Sequence, residues 1–214
     1  MKLYAHPFSS YSQKVLIALY ENATPFDYQN LEEPAANAEL AALWPLKRFP
    51  VLLDEGRCIL ESSTIIAHLQ AHHPGPVSLI PAGDAGLEVQ MLDRVFDNYV
   101  MTLMQKVVLD ALRPVDDRDR YGVMQARELL DQIYLWLDQR LEGRHWMAGA
   151  GFTLADCAAA PSLFYADWAH EIPSTHARLR AYRARLLSQP SVVRVVNEAR
   201  PFRHYFPQGA PARD

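Results

Sequence analysis

The feature that most constrains the fold is a stretch over residues 73–86, in which six of fourteen residues are proline or glycine. Such a composition breaks helices and strands and is typical of a connection between domains. Strand patterns occur before this stretch, whereas the periodicity after it is helical. At 214 residues the chain is long enough for two domains. We therefore predict one domain over residues 1–74, a linker over 75–86 and a second domain over 87–214.

The first domain is predicted to alternate strands and helices. A short strand at residues 2–6 leads into a helix with Val15, Leu16 and Leu19 on one side. The further elements are a strand at 26–29, a helix at 35–43, a hairpin at 51–60 and a helix that opens at Glu61. The order βαβαββα describes a small α/β domain.

The second domain is predicted to be all-helical. The helical patterns cover residues 87–112, 119–141, 154–170, 175–187 and 191–199. Before the third of these, Thr153 is followed three positions later by Asp156. This spacing predicts a capping box that satisfies free amide groups at the start of that helix.

Composition and charge favour an ordinary globular protein without a nucleic-acid or membrane partner. The net charge of −4 provides no overall positive field for nucleic acid or anionic lipid. No stretch is apolar enough to cross a bilayer, and a cytoplasmic location is expected. Cys58 and Cys157 are far apart and are predicted to be buried apolar residues rather than disulfide partners. The eight histidines show no metal-ligand spacing, so no metal is predicted.

The loop at the start of the first helix is the strongest candidate for chemistry. Free amides and the positive end of the helix dipole meet there and favour a bound thiolate. A dithiol oxidoreductase needs cysteine at this point, but this chain has Ser9, Ser10 and Ser12. A serine can donate a hydrogen bond to the sulfur of a bound thiol, or it can simply cap the helix. The local motif leaves both roles open.

Two later dipeptides provide a possible place for the rest of a thiol ligand. Phe49 and Pro50 precede a strand, where a cis peptide bond would leave the Phe49 backbone free to pair with an extended peptide. Glu61 and Ser62 open a helix and offer an acid for an ammonium group and a hydroxyl with amides for a carboxylate. The alternative for the first dipeptide is a trans peptide bond, and the alternative for the second is an ordinary helix cap. Together the two dipeptides match the γ-glutamyl end of glutathione.

Four segments give the chain a resemblance to the cytosolic glutathione S-transferases over nearly its whole length. They occur in the family's order and are HPFSSYSQKVLIAL at 6–19, RFPVL at 48–52, ESSTII at 61–66 and FTLAD at 152–156. The chain looks like a serine-type bacterial member. The resemblance implies a thioredoxin-like N-terminal domain, an all-α domain, a homodimer formed through the helices of residues 87–141, and a role in detoxification.

Carried over residue by residue, the resemblance implies a glutathione site. Ser9 would stabilise the thiolate, with Ser10 as its rival because adjacent serines leave the register open. Phe49 would supply backbone pairing, Pro50 the cis-proline, and Glu61 with Ser62 the γ-glutamyl contacts. Lys47 would meet the glycine carboxylate or remain a solvated loop residue. The family's electrophile pocket would involve Phe8, Tyr11, Tyr99, Met101, Met104 and Trp168, although methionines and aromatic residues at helical spacing also form ordinary cores.

Three functions follow from this resemblance. The first is a transferase that activates glutathione for attack on a hydrophobic electrophile. The second is a glutathione-dependent isomerase or dehalogenase similar to the zeta-type members, but this chain has Tyr11 and Gln13 where those have cysteine and tryptophan. The third is a non-catalytic binding protein that keeps the fold, since a fold alone does not establish activity.

Overall fold

The computed structural model describes all 214 residues and begins with a four-stranded mixed sheet. The N-terminal elements are β1 (Lys2–Ala5), α1 (Ser10–Glu21), β2 (Asp27–Asn30), α2 (Pro34–Leu43), β3 (Val51–Asp54), β4 (Arg57–Ile59) and α3 (Ser62–His72). The strand order is β2-β1-β3-β4, with β1 parallel to β2 and the other two pairings antiparallel. This is the predicted thioredoxin-like βαβαββα arrangement.

Alternation along the strands separates the two faces of the sheet. Leu3 pairs with Leu52, and both belong to the main apolar core together with residues of α1 and α3. Tyr4 pairs with Val51, and both belong to a smaller core with Leu40 of α2. Because successive side chains point to opposite faces, a shift of one residue would exchange these two cores. The apolar pattern therefore defines the register.

The C-terminal part is helical, as predicted. Its helices are α4 (Asp84–Val95), α5 (Thr102–Ala111), α6 (Arg120–Arg140), α7 (Leu154–Ala169), α8 (Ala177–Ser188) and α9 (Pro190–Ala199). A continuous core of 45 buried residues includes side chains from both halves of the chain. Helix α7 lies at its centre, since 15 of its 16 residues are buried. The two halves are therefore held together by shared apolar burial.

The start of α7 has the predicted capping box. The Asp156 carboxylate accepts hydrogen bonds from the Thr153 amide and hydroxyl, both at 2.9 Å. It also accepts from the Met147 amide at 3.0 Å and the Tyr182 hydroxyl at 2.5 Å. Four donors thus compensate for the burial of this carboxylate, although burial still raises its pKa.

Two details differ from the prediction. The helix expected over 87–112 contains a π-helical segment, Phe96–Met101, between α4 and α5. π-Helical turns are frequent at functional sites because they shift the side chains that follow. Cys58 is exposed, so the prediction of a buried residue was wrong, whereas Cys157 is fully buried. Cys58 lies on β4, an edge strand of the sheet, and is not covered there.

None of the helices has both the length and the apolar character needed to cross a membrane.

Candidate functional site

A cleft of about 570 Å³ lies between the loops of the sheet domain and the helices α4 and α5. It brings together most of the residues predicted for glutathione. The predicted site residues that line it are Ser9, Tyr11, Lys47, Phe49, Pro50, Glu61 and Ser62. The packing of α1 on α3 also brings Lys14 within hydrogen-bond distance of Ser63, which lies 49 positions later in the sequence. This pair lies just beneath the cleft.

Ser9 occupies the N-cap position of α1. Its backbone is extended, with φ −85° and ψ 125°, and its Oγ accepts a hydrogen bond from the Ser12 amide at 3.3 Å. A hydroxyl that accepts a bond still has its own proton to donate. The amides of Ser10 and Tyr11 make no hydrogen bond within the chain, so the positive end of α1 is available beside this hydroxyl. Ser10 is only 6% exposed and does not line the cleft.

The peptide bond between Phe49 and Pro50 is cis, as the resemblance implies, and the trans alternative is wrong. Phe49 lines the cleft and is 38% exposed. Neither its amide nor its carbonyl makes a hydrogen bond within the chain. Its backbone can therefore pair with an extended ligand in the manner of an added strand.

The start of α3 presents unpaired amides to the cleft. The amide groups of residues 62–64 make no hydrogen bond within the chain, and Glu61 at the N-cap position makes no side-chain cap. Glu61 has a φ of 66°, and Lys47 has a φ of 52°. Left-handed conformations of residues other than glycine cost about 1–3 kcal/mol and cluster at ligand sites. The arrangement suits a carboxylate at the helix N-terminus.

The helical domain supplies the opposite wall of the cleft. Arg94, Asp97, Asn98 and Gln105 line it from α4, the π-helical segment and α5. Sequence reasoning missed these residues. Their spacing was a signal that could have found three of them. Asn98 follows Arg94 by four residues and Gln105 follows Asn98 by seven, so these polar side chains share one face of a predicted helix.

Tyr11 lies in the cleft as a neutral hydroxyl. Burial, followed by the nearby Asp97 carboxylate, raises its pKa to about 12. The phenol therefore keeps its proton at neutral pH and is a second hydrogen-bond donor near Ser9.

A buried ion cluster lies beneath the cleft. The Lys14 ammonium is fully buried and lies 2.7 Å from Asp97 Oδ2 and 2.5 Å from Asp93 Oδ1. It also donates to Ser63 Oγ at 2.9 Å. Burial raises the pKa of Asp97, against the lowering effect of Lys14. Asp97 Oδ1 is buried and has no hydrogen-bond partner within the chain, so this carboxylate is bound to the chain mainly through Oδ2.

The other residues predicted for the electrophile pocket lie outside the cleft lining. Phe8 and Trp168 line a separate small cavity near the C-terminus, where the Arg203 guanidinium lies 4.7 Å from the centre of the Trp168 ring. Met101 and Met104 belong to the apolar core. Tyr99 is 57% exposed. Of the predicted pocket, only Tyr11 shares the cleft with Ser9.

Two family models match the chain. Their descriptions are the glutathione S-transferase N-terminal domain, over residues 3–77, and the glutathione S-transferase C-terminal domain, over residues 89–185. Each match falls on one of the two structural halves.

Individual proteins are similar over most of the chain. FtsZ-localized protein A of Caulobacter vibrioides is 30% identical over 181 residues, which cover 80% of this chain and 79% of that protein. The stringent starvation protein A homolog of Coxiella burnetii is 26% identical over 164 residues, covering 77% and 75%. A crystal structure of a glutathione S-transferase from Methylobacillus flagellatus KT with glutathione bound has a TM-score of 0.81 and 24% identity, covering 91% of this chain and 98% of that one.

Proposed function

The chain belongs to the glutathione S-transferase family, and from this premise we propose that its cleft binds glutathione and that Ser9 stabilises the thiolate for attack on an electrophile. The observation that carries the proposal is that one cleft contains Ser9, the free backbone of Phe49 and the unpaired amides at the start of α3. These three features fit the thiol, the peptide backbone and the α-carboxylate of a single glutathione molecule.

The charges of the cleft also suit this ligand. The cleft lining has a net charge of +1. Its cationic side chains are Lys47, Arg48 and Arg94, and its carboxylates are Glu61 and Asp97. Glutathione at neutral pH has two carboxylates and one ammonium group, a net charge of −1. In the proposed pose, Glu61 binds the ammonium, Ser62 and the α3 amides bind the α-carboxylate, and Lys47 meets the glycine carboxylate.

The energy needed to activate the thiol is within reach of these groups. Lowering a thiol pKa from about 8.5 by two units requires about 2.7 kcal/mol of preference for the thiolate. A hydrogen bond from the Ser9 hydroxyl to a charged sulfur contributes about 1.5–3 kcal/mol. The N-terminus of α1 adds about 0.3–1 kcal/mol.

The thiolate would then form a carbon–sulfur bond with the electrophile. The electron pair of the new bond comes from sulfur, and the leaving group departs with the pair of the broken bond. Trp44, Leu46 and Leu60 give the cleft an apolar part beside Tyr11, which favours a hydrophobic electrophile. Within the cytoplasm, this chemistry would serve detoxification.

Calorimetric titration with glutathione tests the binding. Ser62→Ala is expected to raise the Kd about 10- to 100-fold, since it removes a hydrogen bond to a charged group worth about 1.5–3 kcal/mol. Glu61→Gln keeps an acceptor oxygen but removes the negative charge that faces the ammonium, and is expected to raise the Kd about 10-fold. Thr64→Ala is a matched control, because Thr64 lies in the same helical turn but is exposed and does not line the cleft. Equal affinities for all three variants and the wild type would exclude this pose.

A non-catalytic glutathione-binding protein is the second candidate. The names of two relatives, FtsZ-localized protein A and stringent starvation protein A homolog, do not describe a transferase. A conjugation assay separates the candidates, because binding without turnover favours this second function. If calorimetry detects no binding at millimolar glutathione, the transferase proposal is excluded.

We also propose a homodimer formed through the helices of residues 87–141. Support comes from large apolar side chains that these helices expose, among them Leu87, Met91, Leu129, Leu135 and Trp136. Analytical ultracentrifugation at micromolar concentration is expected to give twice the chain mass of 24.3 kDa. A species of single-chain mass would refute the dimer.

A further inference from the structure

A second cluster of chemically active side chains lies at the far end of α3. This helix begins at the cleft, and its 11 residues place its other end roughly 16 Å away. His68 lies in its last turns, and His73 follows its C-terminus. Asp54, the last residue of β3, faces both histidines.

The three side chains converge on one point. Asp54 Oδ2 lies 2.9 Å from His68 Nε2 and 2.7 Å from His73 Nε2. All three atoms lie within 4.8 Å of one another. The side chains of Asp54 and His68 are 7% and 11% exposed, whereas that of His73 is 33% exposed. The cluster is therefore held by packing on two sides and open to solvent on the third.

From this geometry we propose that Asp54, His68 and His73 form a binding site for a divalent transition-metal ion, with Zn²⁺ as its probe. Two imidazoles and one carboxylate are a donor set that zinc accepts, and three protein ligands leave one coordination position open. The imidazole nitrogens disfavour Mg²⁺ and Ca²⁺, which prefer oxygen. No metal was expected from the sequence, because Asp54 is 14 residues from His68 and the ligands meet only in the folded chain.

The two distances that end at Asp54 Oδ2 fit this ion after a small adjustment, and the two imidazole nitrogens lie within 4.8 Å of each other. Tetrahedral zinc has bonds of about 2.0–2.1 Å, which place neighbouring ligand atoms roughly 3.3 Å apart. The two histidines must therefore move about half an ångström away from Asp54 Oδ2 as the ion replaces their hydrogen bonds.

The ion would join the end of the β3–β4 hairpin to the end of α3. Because a preformed site of this kind is absent from the unfolded chain, metal binding stabilises the folded state by mass action. This role is independent of glutathione, which binds at the opposite end of the helix in the proposed function.

The test is a calorimetric titration of Zn²⁺ into the full chain, with any affinity tag removed and no glutathione present. We expect one ion per chain and a rise in Tm with added Zn²⁺. Asp54→Asn, His68→Ala and His73→Ala are each expected to raise the Kd at least about 10-fold. Asp54→Asn keeps an oxygen that accepts both histidine hydrogen bonds, so it preserves the local structure while removing the anionic ligand.

His72→Ala is the matched control. Its ring lies 4.4 Å from that of His68, but it is not one of the three converging side chains. The control is expected to bind Zn²⁺ with the wild-type Kd. The proposal is overturned if the wild type binds no Zn²⁺ stoichiometrically, if Asp54→Asn retains the wild-type Kd, or if His72→Ala loses as much affinity as the ligand variants. Circular dichroism of each variant without metal separates lost ligands from lost fold.

Discussion

Replacing Ser9 by alanine removes two interactions that the structure allows us to separate. One is the proposed hydrogen bond to the thiolate of glutathione, worth about 1.5–3 kcal/mol. At 1.36 kcal/mol per unit, its loss raises the pKa of the bound thiol by about 1–2 units. The other is the N-cap bond to the Ser12 amide, whose length of 3.3 Å places its loss near the lower end of the range for such caps, about 0.5 kcal/mol of stability.

The pH dependence of the rate distinguishes a weakened thiolate from a damaged fold. If the wild-type thiol has a pKa of about 6.5, a rise of 1–2 units lowers the thiolate fraction at pH 6.5 by about 5- to 50-fold. Above about pH 9 both proteins carry the thiolate, and the difference in rate is expected to disappear. The assay is conjugation to a saturating electrophile from pH 5.5 to 9.5, with the thiolate absorbance of bound glutathione measured in parallel.

Three further variants complete the test. Ser9→Thr keeps the cap and the donor, so we expect the wild-type thiol pKa. Ser9→Asp keeps the cap but replaces the donor with a negative charge, so stability is retained while the thiol pKa rises. Ser10→Ala removes the rival hydroxyl, which is buried outside the cleft lining, and should leave the thiol pKa unchanged. A wild-type pH profile for Ser9→Ala, or a shifted one for Ser10→Ala, would refute the assignment.

Three predictions concern stability. Lys14→Met leaves two buried carboxylates without their cation and is expected to lower the free energy of unfolding by about 3–5 kcal/mol. Urea titration measures this loss, and a loss below about 1 kcal/mol would contradict the prediction. Asp156→Ala strands buried donors at the start of α7 and should cost at least about 3 kcal/mol by the same measurement. Asp54 has a folded-state pKa of about 2, below its unfolded value of 3.8. Its contribution to the free energy of unfolding is therefore present above about pH 4 and is lost as the pH falls towards 2. The stability difference between wild type and Asp54→Asn should therefore shrink between pH 5 and pH 2.5.

The architecture was predictable because local patterns and the final fold agree. Leu3 and Tyr4 point to opposite faces of the sheet, and both faces are covered by helices, so the strand reads as apolar on both sides. The helical periodicity after residue 86 likewise reflects one buried face on the outer helices, whereas α7 is buried on all sides. The capping box at Thr153 was predictable from a short motif, because its geometry depends on neighbouring residues. The cis bond at Phe49–Pro50 was implied by the family resemblance, since the dipeptide alone left a trans bond open.

The features that were missed depend on contacts distant in sequence. Cys58 resembles a core residue in its apolar context, but its strand lies at the edge of the sheet. Arg94 on α4 and Asn98 in the π-helical segment reach the cleft because neighbouring residues of both elements contact Lys14 of α1. Their spacing alone does not say which side of the helix faces the cleft. Asp54 and His73 likewise meet only through the return of α3 to the hairpin.

The buried Lys14 also explains how the cleft keeps its geometry. Its ammonium group contacts Ser63 in the first turn of α3 and Asp97 in the π-helical segment, and it lies five residues after Ser9 on α1. Three of the elements that form the cleft are therefore joined at one cation. A fully buried ammonium is costly unless it is paired and hydrogen-bonded, and apolar substitutes of similar volume often match such pairs in stability. The hydrogen bonds of one ammonium group are directional and add a constraint on the relative positions of these elements to that of apolar packing. On this reasoning Lys14 sets the distance between the Ser9 hydroxyl and the α3 amides, which a single glutathione molecule must span.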